Sequence, residues 1–274
     1  MAYRLLALDL DGTLLRRSDG GVDERDRDAI HELSRAGVTV TINTGRLHSG
    51  SIEAARTCRI AGPIACMEGT HVVEAESERT LVRHAMTPAV TGVLRDAFAR
   101  HGLASFVFEH DGIHHDEAGE PFANYVRTWS PKLRLVEEAL DERVWANDPL
   151  AAVAIGDAEE VAAAHAELAA HASNIFSVSF AVWTCPGKHA VLVRGAGQNK
   201  GTALHELCRV VGCTPAEAVV VGDWFNDVPM FEVAGRSFAM GGAPDEVRAK
   251  ATDVLEQPMG GGGGIAEAIR RAWG

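Results

Sequence analysis

Two aspartates, Asp9 and Asp11, follow directly on the apolar segment LLAL at residues 5–8, and Gly12 and Thr13 lie beside them. A carboxylate taken out of water costs several kcal/mol of free energy unless another group compensates its charge. The two side chains must therefore be solvated, hydrogen-bonded or bound to a cation. Carboxylates in such a position are suited to nucleophilic attack, proton transfer and metal binding.

Further polar residues end other predicted strands or open a predicted helix: Thr44, Gly45, Arg46, Lys200, Asp223, Asn226 and Asp227. In an open α/β sheet, ligands bind outside the carboxyl ends of the strands. Several carboxylates that meet at one point repel one another unless a hard cation lies among them, and an oxygen-only ligand set selects Mg²⁺. Mg²⁺ usually binds beside a phosphate, whose other oxygens Thr44, Lys200 and helix N-terminal amides can bind. The sequence therefore predicts a phosphoryl-binding site with Mg²⁺ as cofactor.

The elements that position these residues alternate between short apolar strands and amphipathic helices. Near the N-terminus, YRLLALDL reads as a buried strand, VDERDRDAIHELSRAG as a helix, VTVTINTGR as a second strand and PIACM as a third. This alternation predicts a doubly wound α/β sheet. Residues 84–187 have longer β-rich runs and predict an α+β insert, after which the first pattern resumes with AVVVGD and a last helix, GIAEAIRRAW. The glycines at 260–264 predict a flexible turn.

Composition narrows the class of protein. The chain has 274 residues, of which 46% are apolar, and 26 Lys and Arg against 38 Asp and Glu give a formal charge of −12. This charge repels polyanions and argues against nucleic-acid binding. The five cysteines include no C-x-x-C pair, which disfavours a disulfide framework or a zinc knuckle. With no apolar signal core or 18-residue uncharged run, we expect a soluble cytoplasmic protein without membrane partners.

The ordered motifs D-x-D-G-T, T-G-R, a lone Lys before a helix and G-D-x-x-N-D resemble those of the haloacid dehalogenase-like phosphatases over the whole chain. The insert resembles the C2-type cap of the Cof-like sugar-phosphate phosphatase branch. The resemblance implies a Rossmann-like core at residues 1–83 and 188–274 and a cap at 84–187. The implied activity is Mg²⁺-dependent hydrolysis of a small phosphate monoester, with a sugar phosphate as the expected substrate, through an aspartyl-phosphate.

The resemblance also implies a role for each motif residue. Asp9 is the nucleophile, and Asp11 is the general acid and then the base toward water; strand alternation supports this, because residues i and i+2 point the same way. The Asp9 carboxylate, the Asp11 backbone carbonyl and the Asp223 carboxylate hold Mg²⁺. Thr44 and Lys200 bind the transferring phosphoryl group. The substrate-binding residues are completed by Gly45, Arg46 and Asn226, and Asp227 supports Lys200 and the metal.

Two departures from the family pattern lie near these motifs. Glu68-Gly69 replaces the usual Asn-Gly after the third strand and adds a negative charge near the expected site. Trp224 and Phe225 are bulky, and we expect them to pack beside the sheet in preference to stacking on the substrate. Another cluster, HDGIHHD at 110–116, predicts a solvated loop of the insert in preference to a transition-metal site.

Other functions agree less well with the sequence. A dinucleotide-binding oxidoreductase or a P-loop kinase would need a G-x-G-x-x-G or a G-x-x-x-x-G-K-[ST] motif, and the chain has neither. A phosphomutase built on the same aspartates is the main alternative. A non-enzymatic Mg²⁺-dependent binding protein is a further alternative. Pyridoxal phosphate and FMN are alternatives to a sugar phosphate as substrate.

Overall fold

A computed structural model describes residues 3–274, and the chain divides into two compact units. One contains the chain up to Val82 together with Gln198–Gly274, and the other is the continuous segment Arg83–Gly197. The strands are β1 (Leu5–Leu8), β2 (Thr39–Ile42), β3 (Pro63–Cys66), β4 (His71–Glu74), β5 (Thr80–Arg83), β6 (Ala104–Phe108), β7 (Ile113–His115), β8 (Leu133–Leu135), β9 (Ala151–Asp157), β10 (Ile175–Ala181), β11 (Lys188–Gly195), β12 (Ala218–Gly222), β13 (Arg236–Gly241) and β14 (Asp253–Pro258).

The helices are shorter than a membrane span. They are α1 (Glu24–Arg35), α2 (His48–Thr57), α3 (Pro88–Arg100), α4 (Ala123–Val126), α5 (Glu142–Trp145), α6 (Ala158–Ala169), α7 (Lys200–Val211), α8 (Val228–Val233), α9 (Asp245–Arg248) and α10 (Gly264–Trp273). The longest, α3, has 13 residues, whereas a spanning helix needs about 20. Between residues 3 and 274, no helix has the length and apolar character to cross a membrane.

The first unit is built on a five-stranded parallel sheet in the order β14-β13-β12-β1-β2. Every side chain of β1 is buried, because the strand is covered on both faces. Leu6 and Leu8 belong to the apolar cluster that includes Ile30 of α1, and Leu5 belongs to the cluster on the opposite face with Leu204 of α7. Helices on both faces of a parallel sheet confirm the predicted doubly wound α/β class.

The predicted third strand does not extend this sheet. Segment β3 pairs with β4 in a separate antiparallel sheet, in the order β3-β4-β5. A turn at Met67–Gly69 with positive φ angles returns the chain alongside β3, and this reversal produces a hairpin instead of a crossover. A bridge between Asn43 and Ala65 joins β3 to the end of β2.

The second unit is an α+β structure, as expected for the insert. Its six-stranded sheet has the order β10-β11-β9-β6-β7-β8, and α3 and α6 share an apolar cluster with β6, β9 and β11. The C-terminal boundary of this unit differs from the expected residue 187. Strand β11 pairs antiparallel with both β9 and β10 and fills the sheet between them, so the unit continues to Gly197.

Candidate active site

A fully buried lysine bridges two aspartates at the carboxyl end of β1 and β12. Asp9 follows β1 directly, is 5% exposed, and donates its N–H to the carbonyl of Val221 at 3.0 Å. Lys200 is 0% exposed. Its Nζ donates to Asp9 Oδ1 at 2.5 Å and to Asp227 Oδ1 at 2.6 Å. The ammonium group of this lysine, which was predicted to belong to the site, therefore lies at the end of β1.

Lys200 is held in place through its backbone. It is the first residue of α7, and the Asn199 side chain caps this helix by accepting hydrogen bonds from the N–H groups of Gly201 at 2.8 Å and Thr202 at 3.0 Å. The carbonyl of Lys200 accepts a hydrogen bond from Asn43 Nδ2 at 2.9 Å. Asn43 follows β2 and is fully buried, so it fixes the start of α7 against the strand end.

Asp227 shapes the loop that follows β12. Its Oδ2 accepts hydrogen bonds from the N–H of Asp223 at 2.8 Å and of Trp224 at 2.9 Å, and its Oδ1 accepts from Lys200. A Cβ at Gly222 would lie 2.4 Å from Asp227 Cγ, so the absence of a side chain there permits this close packing. Both Asp227 oxygens therefore accept hydrogen bonds from other residues of the site.

Three buried carboxylates could hold a metal ion. One oxygen each from Asp9, Asp223 and Asp227 lie within 4.8 Å of one another. Both oxygens of Asp227 already accept hydrogen bonds. Within residues 3–274, Asp223 accepts a side-chain hydrogen bond only at Oδ1, from the Thr13 hydroxyl at 3.3 Å, and its Oδ2 lies 4.0 Å from Arg17 Nη2. Asp9 and Asp223 are therefore the carboxylates with oxygens free for a cation. Gly12 preserves the space beside them, because its φ is +88° and an added Cβ would lie 2.2 Å from Asp223 Oδ2.

The charges of this cluster do not balance. Burial raises the pKa of Asp9 well above its ordinary value against the effect of Lys200. Burial, followed by the charge of Asp227, raises the pKa of Asp223 to about 7. Burial acts to lower the pKa of Lys200, but Asp227 and Asp9 outweigh it, so the ammonium stays charged. Lys200 contacts two of the three carboxylates, and the exposed Arg17 lies 4.0 Å from Asp223 Oδ2. The three carboxylates still outnumber these two cations, and a divalent cation would neutralise the remaining negative charge.

Asp11 has different surroundings from Asp9. Its side chain is 60% exposed, and Arg46 Nε donates to its Oδ2 at 2.9 Å while Arg46 Nη2 donates to its Oδ1. Arg46, expected to bind substrate, is thus paired with the expected general acid. The alternation argument for Asp9 and Asp11 is wrong, because β1 ends at Leu8 and both aspartates lie in the loop beyond it.

The residues around Thr44 connect three motifs. Thr44 is fully buried. Its N–H donates to the backbone carbonyl of Ala65, and its hydroxyl accepts a hydrogen bond from the N–H of Arg46 at 3.2 Å. The N–H of Glu68 donates to the Thr44 carbonyl at 3.0 Å. Glu68 Oε1 accepts a hydrogen bond from Asn226 Nδ2 at 2.8 Å. A Cβ at Gly45 would lie 3.0 Å from the same oxygen, so the unusual Glu68 is part of this site.

The comparison with known families decides the class of protein. Residues 6–269 match the family model described as haloacid dehalogenase-like hydrolase. The chain belongs to this family. Among its curated relatives is an HMP-PP phosphatase of Yersinia pseudotuberculosis serotype O:1b (strain IP 31758), which is 29% identical over 250 residues, or 90% of this chain and 86% of the relative.

Solved structures show the same fold as this hydrolase. A haloacid dehalogenase-like hydrolase from Bacteroides thetaiotaomicron superposes with a TM-score of 0.87 at 22% identity, over 99% of this chain and all (100%) of the other. A subclass IIB sugar phosphatase superposes with a TM-score of 0.77 at 19% identity, over 98% of both chains. Family and relatives together confirm a Cof-type hydrolase and the expected enzyme class, a phosphatase.

Some residues of this phosphatase lie where the sequence did not predict them. Trp224 and Phe225 are each 51% exposed and contact one another edge to face, so they are not packed beside the sheet as expected. In the second unit, His115 is buried in β7 near Phe106, which corrects the expectation of a solvated loop. Asn43 was missed, although an amide directly after the buried run TVTI was the available signal.

Proposed function

We propose that this phosphatase hydrolyses a small phosphate monoester in a Mg²⁺-dependent reaction through an aspartyl-phosphate on Asp9. The observation that carries the proposal is the state of the Asp9 carboxylate. It is buried, one oxygen is held by Lys200 at 2.5 Å, and its other oxygen accepts no hydrogen bond from the part of the chain that the structure describes. A carboxylate that is oriented by one oxygen and free at the other is suited to act as a nucleophile.

The residues present fit a Mg²⁺ ion. The Asp9 and Asp223 carboxylates and the backbone carbonyl of Asp11 would hold it; all are oxygen donors, and the surrounding charge is negative. When bound, the ion supplies positive charge that stabilises the phosphoryl oxygens. Lys200 and the Thr44 hydroxyl would donate hydrogen bonds to the same group.

In the first half of the reaction, a carboxylate oxygen of Asp9 attacks phosphorus and the bond to the ester oxygen breaks. Asp11 gives a proton to the departing oxygen, and the leaving group is released as an alcohol. In the second half, Asp11 takes a proton from water, and the water oxygen displaces the Asp9 carboxylate from phosphorus. Inorganic phosphate leaves and both aspartates return to their starting states. The exposure of Asp11 gives it access to both the leaving group and water.

A rapid-quench experiment with 4-nitrophenyl phosphate tests the roles of the two aspartates. Asp9→Asn should form no phosphoenzyme, because an amide oxygen is a poor nucleophile. Asp11→Asn keeps the nucleophile and should be phosphorylated by this activated ester, and turnover should stall before hydrolysis. Mass spectrometry of the intact chain should show an adduct of about 80 Da on Asp11→Asn only. An adduct on Asp9→Asn, or none on Asp11→Asn, would overturn the assignment.

We further propose that the segment 83–197 is a C2-type cap that selects the leaving group, and that sugar phosphates are among the substrates. The family resemblance supports both statements, and one curated relative is named for HMP-PP. The phosphomutase alternative would return the phosphoryl group to another hydroxyl of the same sugar. Release of one inorganic phosphate per ester consumed, with no isomeric sugar phosphate, would support hydrolysis.

A further inference from the structure

Glu68 has no task in the proposed reaction, although it lies in the site. The residue is 8% exposed and adopts a left-handed backbone conformation with φ of 57°. Its Oε1 accepts a hydrogen bond from Asn226 at 2.8 Å. Among residues 3–274, no other side chain donates to this carboxylate and none forms an ion pair with it. Among the described residues, the side-chain hydrogen bond to this buried carboxylate thus comes from a neutral amide alone, which leaves Oε2 available as an acceptor.

The cations nearby are already committed to other carboxylates. Lys200 donates to Asp9 and Asp227. Arg46 is paired with Asp11. Lys200 also interacts with Glu68 through its charge, although its hydrogen bonds go to Asp9 and Asp227. A buried carboxylate that no cation contacts directly is unfavourable, and a positively charged ligand would offset that cost. Glu68 therefore favours a ligand that carries a cation and opposes one that carries a second anion.

The carboxylate of Glu68 lies beside Gly45, and its backbone is bonded to Thr44. Its Oε1 lies 3.0 Å from where a Cβ of Gly45 would be, and its N–H donates to the carbonyl of Thr44. Thr44 is proposed to bind the phosphoryl group, and the family resemblance implies that Gly45 also binds substrate. A group recognised by Glu68 would therefore belong to the same molecule as the bound phosphate and would lie close to its ester oxygen.

An aromatic pair lies on the loop that Glu68 contacts. Trp224 and Phe225 directly precede Asn226, the hydrogen-bond partner of Glu68, and their ring centroids are 5.5 Å apart with planes at 86°. Each is 51% exposed. Exposed aromatic faces bind planar rings by stacking and bind cations through their π-electrons.

We propose that Glu68 is a specificity-determining residue that selects phosphate esters with a protonated amine near the ester group, and that Trp224 and Phe225 add affinity when the leaving group is aromatic. The proposal rests on the proposed function and names the class of leaving group. An ammonium group would donate a charge-assisted hydrogen bond to the free Oε2 of Glu68, and such bonds are stronger than those between neutral groups.

Two matched pairs of substrates isolate the ammonium group. O-phosphoethanolamine and 2-hydroxyethyl phosphate differ only in an amine against a hydroxyl, and pyridoxamine 5′-phosphate and pyridoxine 5′-phosphate differ in the same way on an aromatic ring. With Mg²⁺ near neutral pH, kcat/KM should be higher for the amine member of each pair by about tenfold, the usual effect of one hydrogen bond between charged groups.

Two variants test whether Glu68 causes this preference. Glu68→Gln retains an acceptor for Asn226 but removes the charge, and the ratio of kcat/KM within each pair should fall to near one. Glu78→Gln is the matched control, because Glu78 is exposed and has the same φ of 57°; it should keep the wild-type ratio. Trp224→Ala should lower kcat/KM for both aromatic esters by about two- to tenfold and should affect the aliphatic pair less.

A wild-type ratio near one, or a ratio that Glu68→Gln leaves unchanged, would overturn the proposal. Failure of the proposed function is a separate result, since it would appear as no Mg²⁺-dependent turnover of 4-nitrophenyl phosphate. In that case calorimetric dissociation constants for the same four esters replace kcat/KM. A tighter Kd for the amine members, lost in Glu68→Gln, would still support the assignment, and equal Kd values would refute it.

Discussion

Removal of Mg²⁺ should make the stability of this phosphatase fall as the pH rises from about 4 to about 7. Burial, and then the charge of Asp227, raises the pKa of Asp223 in the folded state to about 7, from a reference value of 3.8. The metal-free folded state therefore binds a proton more readily than the unfolded chain does. Its free energy of unfolding is highest below the unfolded pKa and decreases through the interval between the two pKa values.

The size of the effect follows from the pKa difference. A shift of about 3 units, at roughly 1.4 kcal/mol per unit, gives about 4 kcal/mol for Asp223. Asp9 acts in the same direction, because burial also raises its pKa. The proposed Mg²⁺ ion would bind the ionised carboxylates of the folded state and not the dispersed ones of the unfolded chain, so it should restore the lost stability near neutral pH.

Urea denaturation over this pH range, in EDTA and in excess Mg²⁺, measures the difference directly. The stabilisation by Mg²⁺ should grow with pH in the wild type, and Asp223→Asn should abolish most of it. Asp26→Asn is the control. Asp26 is also a fully buried aspartate whose pKa burial raises, but it accepts hydrogen bonds from Gly263 and Ala266 outside the site.

Parallel pH profiles in EDTA and in Mg²⁺ would refute the reasoning, because they would mean that the ion does not act on the ionised carboxylates. A loss of the Mg²⁺ effect in Asp26→Asn equal to that in Asp223→Asn would also contradict it. The difference would then reflect general destabilisation.

Two further substitutions test how the site is held together. Lys200→Met leaves the Asp9 and Asp227 carboxylates without their buried cation. The free energy of unfolding in EDTA, measured by urea denaturation, should therefore fall by about 3–5 kcal/mol. A loss below about 1 kcal/mol would show that the ion pairs are not needed for folding. Gly12→Ala should weaken Mg²⁺ binding by more than about tenfold in titration calorimetry, because a Cβ there would displace Asp223, 2.2 Å away. Gly37→Ala is the control, because Gly37 has a similar φ of +90° but an added Cβ there would have no atom within 4 Å. It separates the cost of the backbone conformation from the contact with Asp223. Equal Kd values for Mg²⁺ in the two variants would contradict the explanation.

The residues that meet at the sheet edge could be predicted from the sequence. Asp9 and Asp223 each follow a fully buried strand, and adjacent parallel strands place their carboxyl ends together. Lys200 could be assigned to the same edge because the helix that it begins precedes β12 in the sequence. The sequence was also sufficient for the α/β class, since the alternation of apolar strands with amphipathic helices carries that information.

Details set by long-range packing could not be predicted. Strand β11 is as apolar as a core strand, and only its pairing with β9 and β10 assigns it to the second unit. The long-range partners of the glycine turn at 260–264 could not be predicted for the same reason. The N–H of Gly260 donates to the carbonyl of Gly12 at 2.6 Å, and that of Gly263 donates to Asp26 at 2.7 Å. These partners lie more than two hundred residues away along the chain.

The position of β1 between β2 and β12 has a consequence for how the protein folds during synthesis. Leu5 lies opposite both Thr39 and Ala218, so one edge of β1 has no partner until most of the chain has left the ribosome. The continuous segment 83–197 has its own apolar core and can fold while that edge is still open. We expect nascent chains that stop before β12 to expose an unpaired apolar strand, to associate with one another and to bind chaperones.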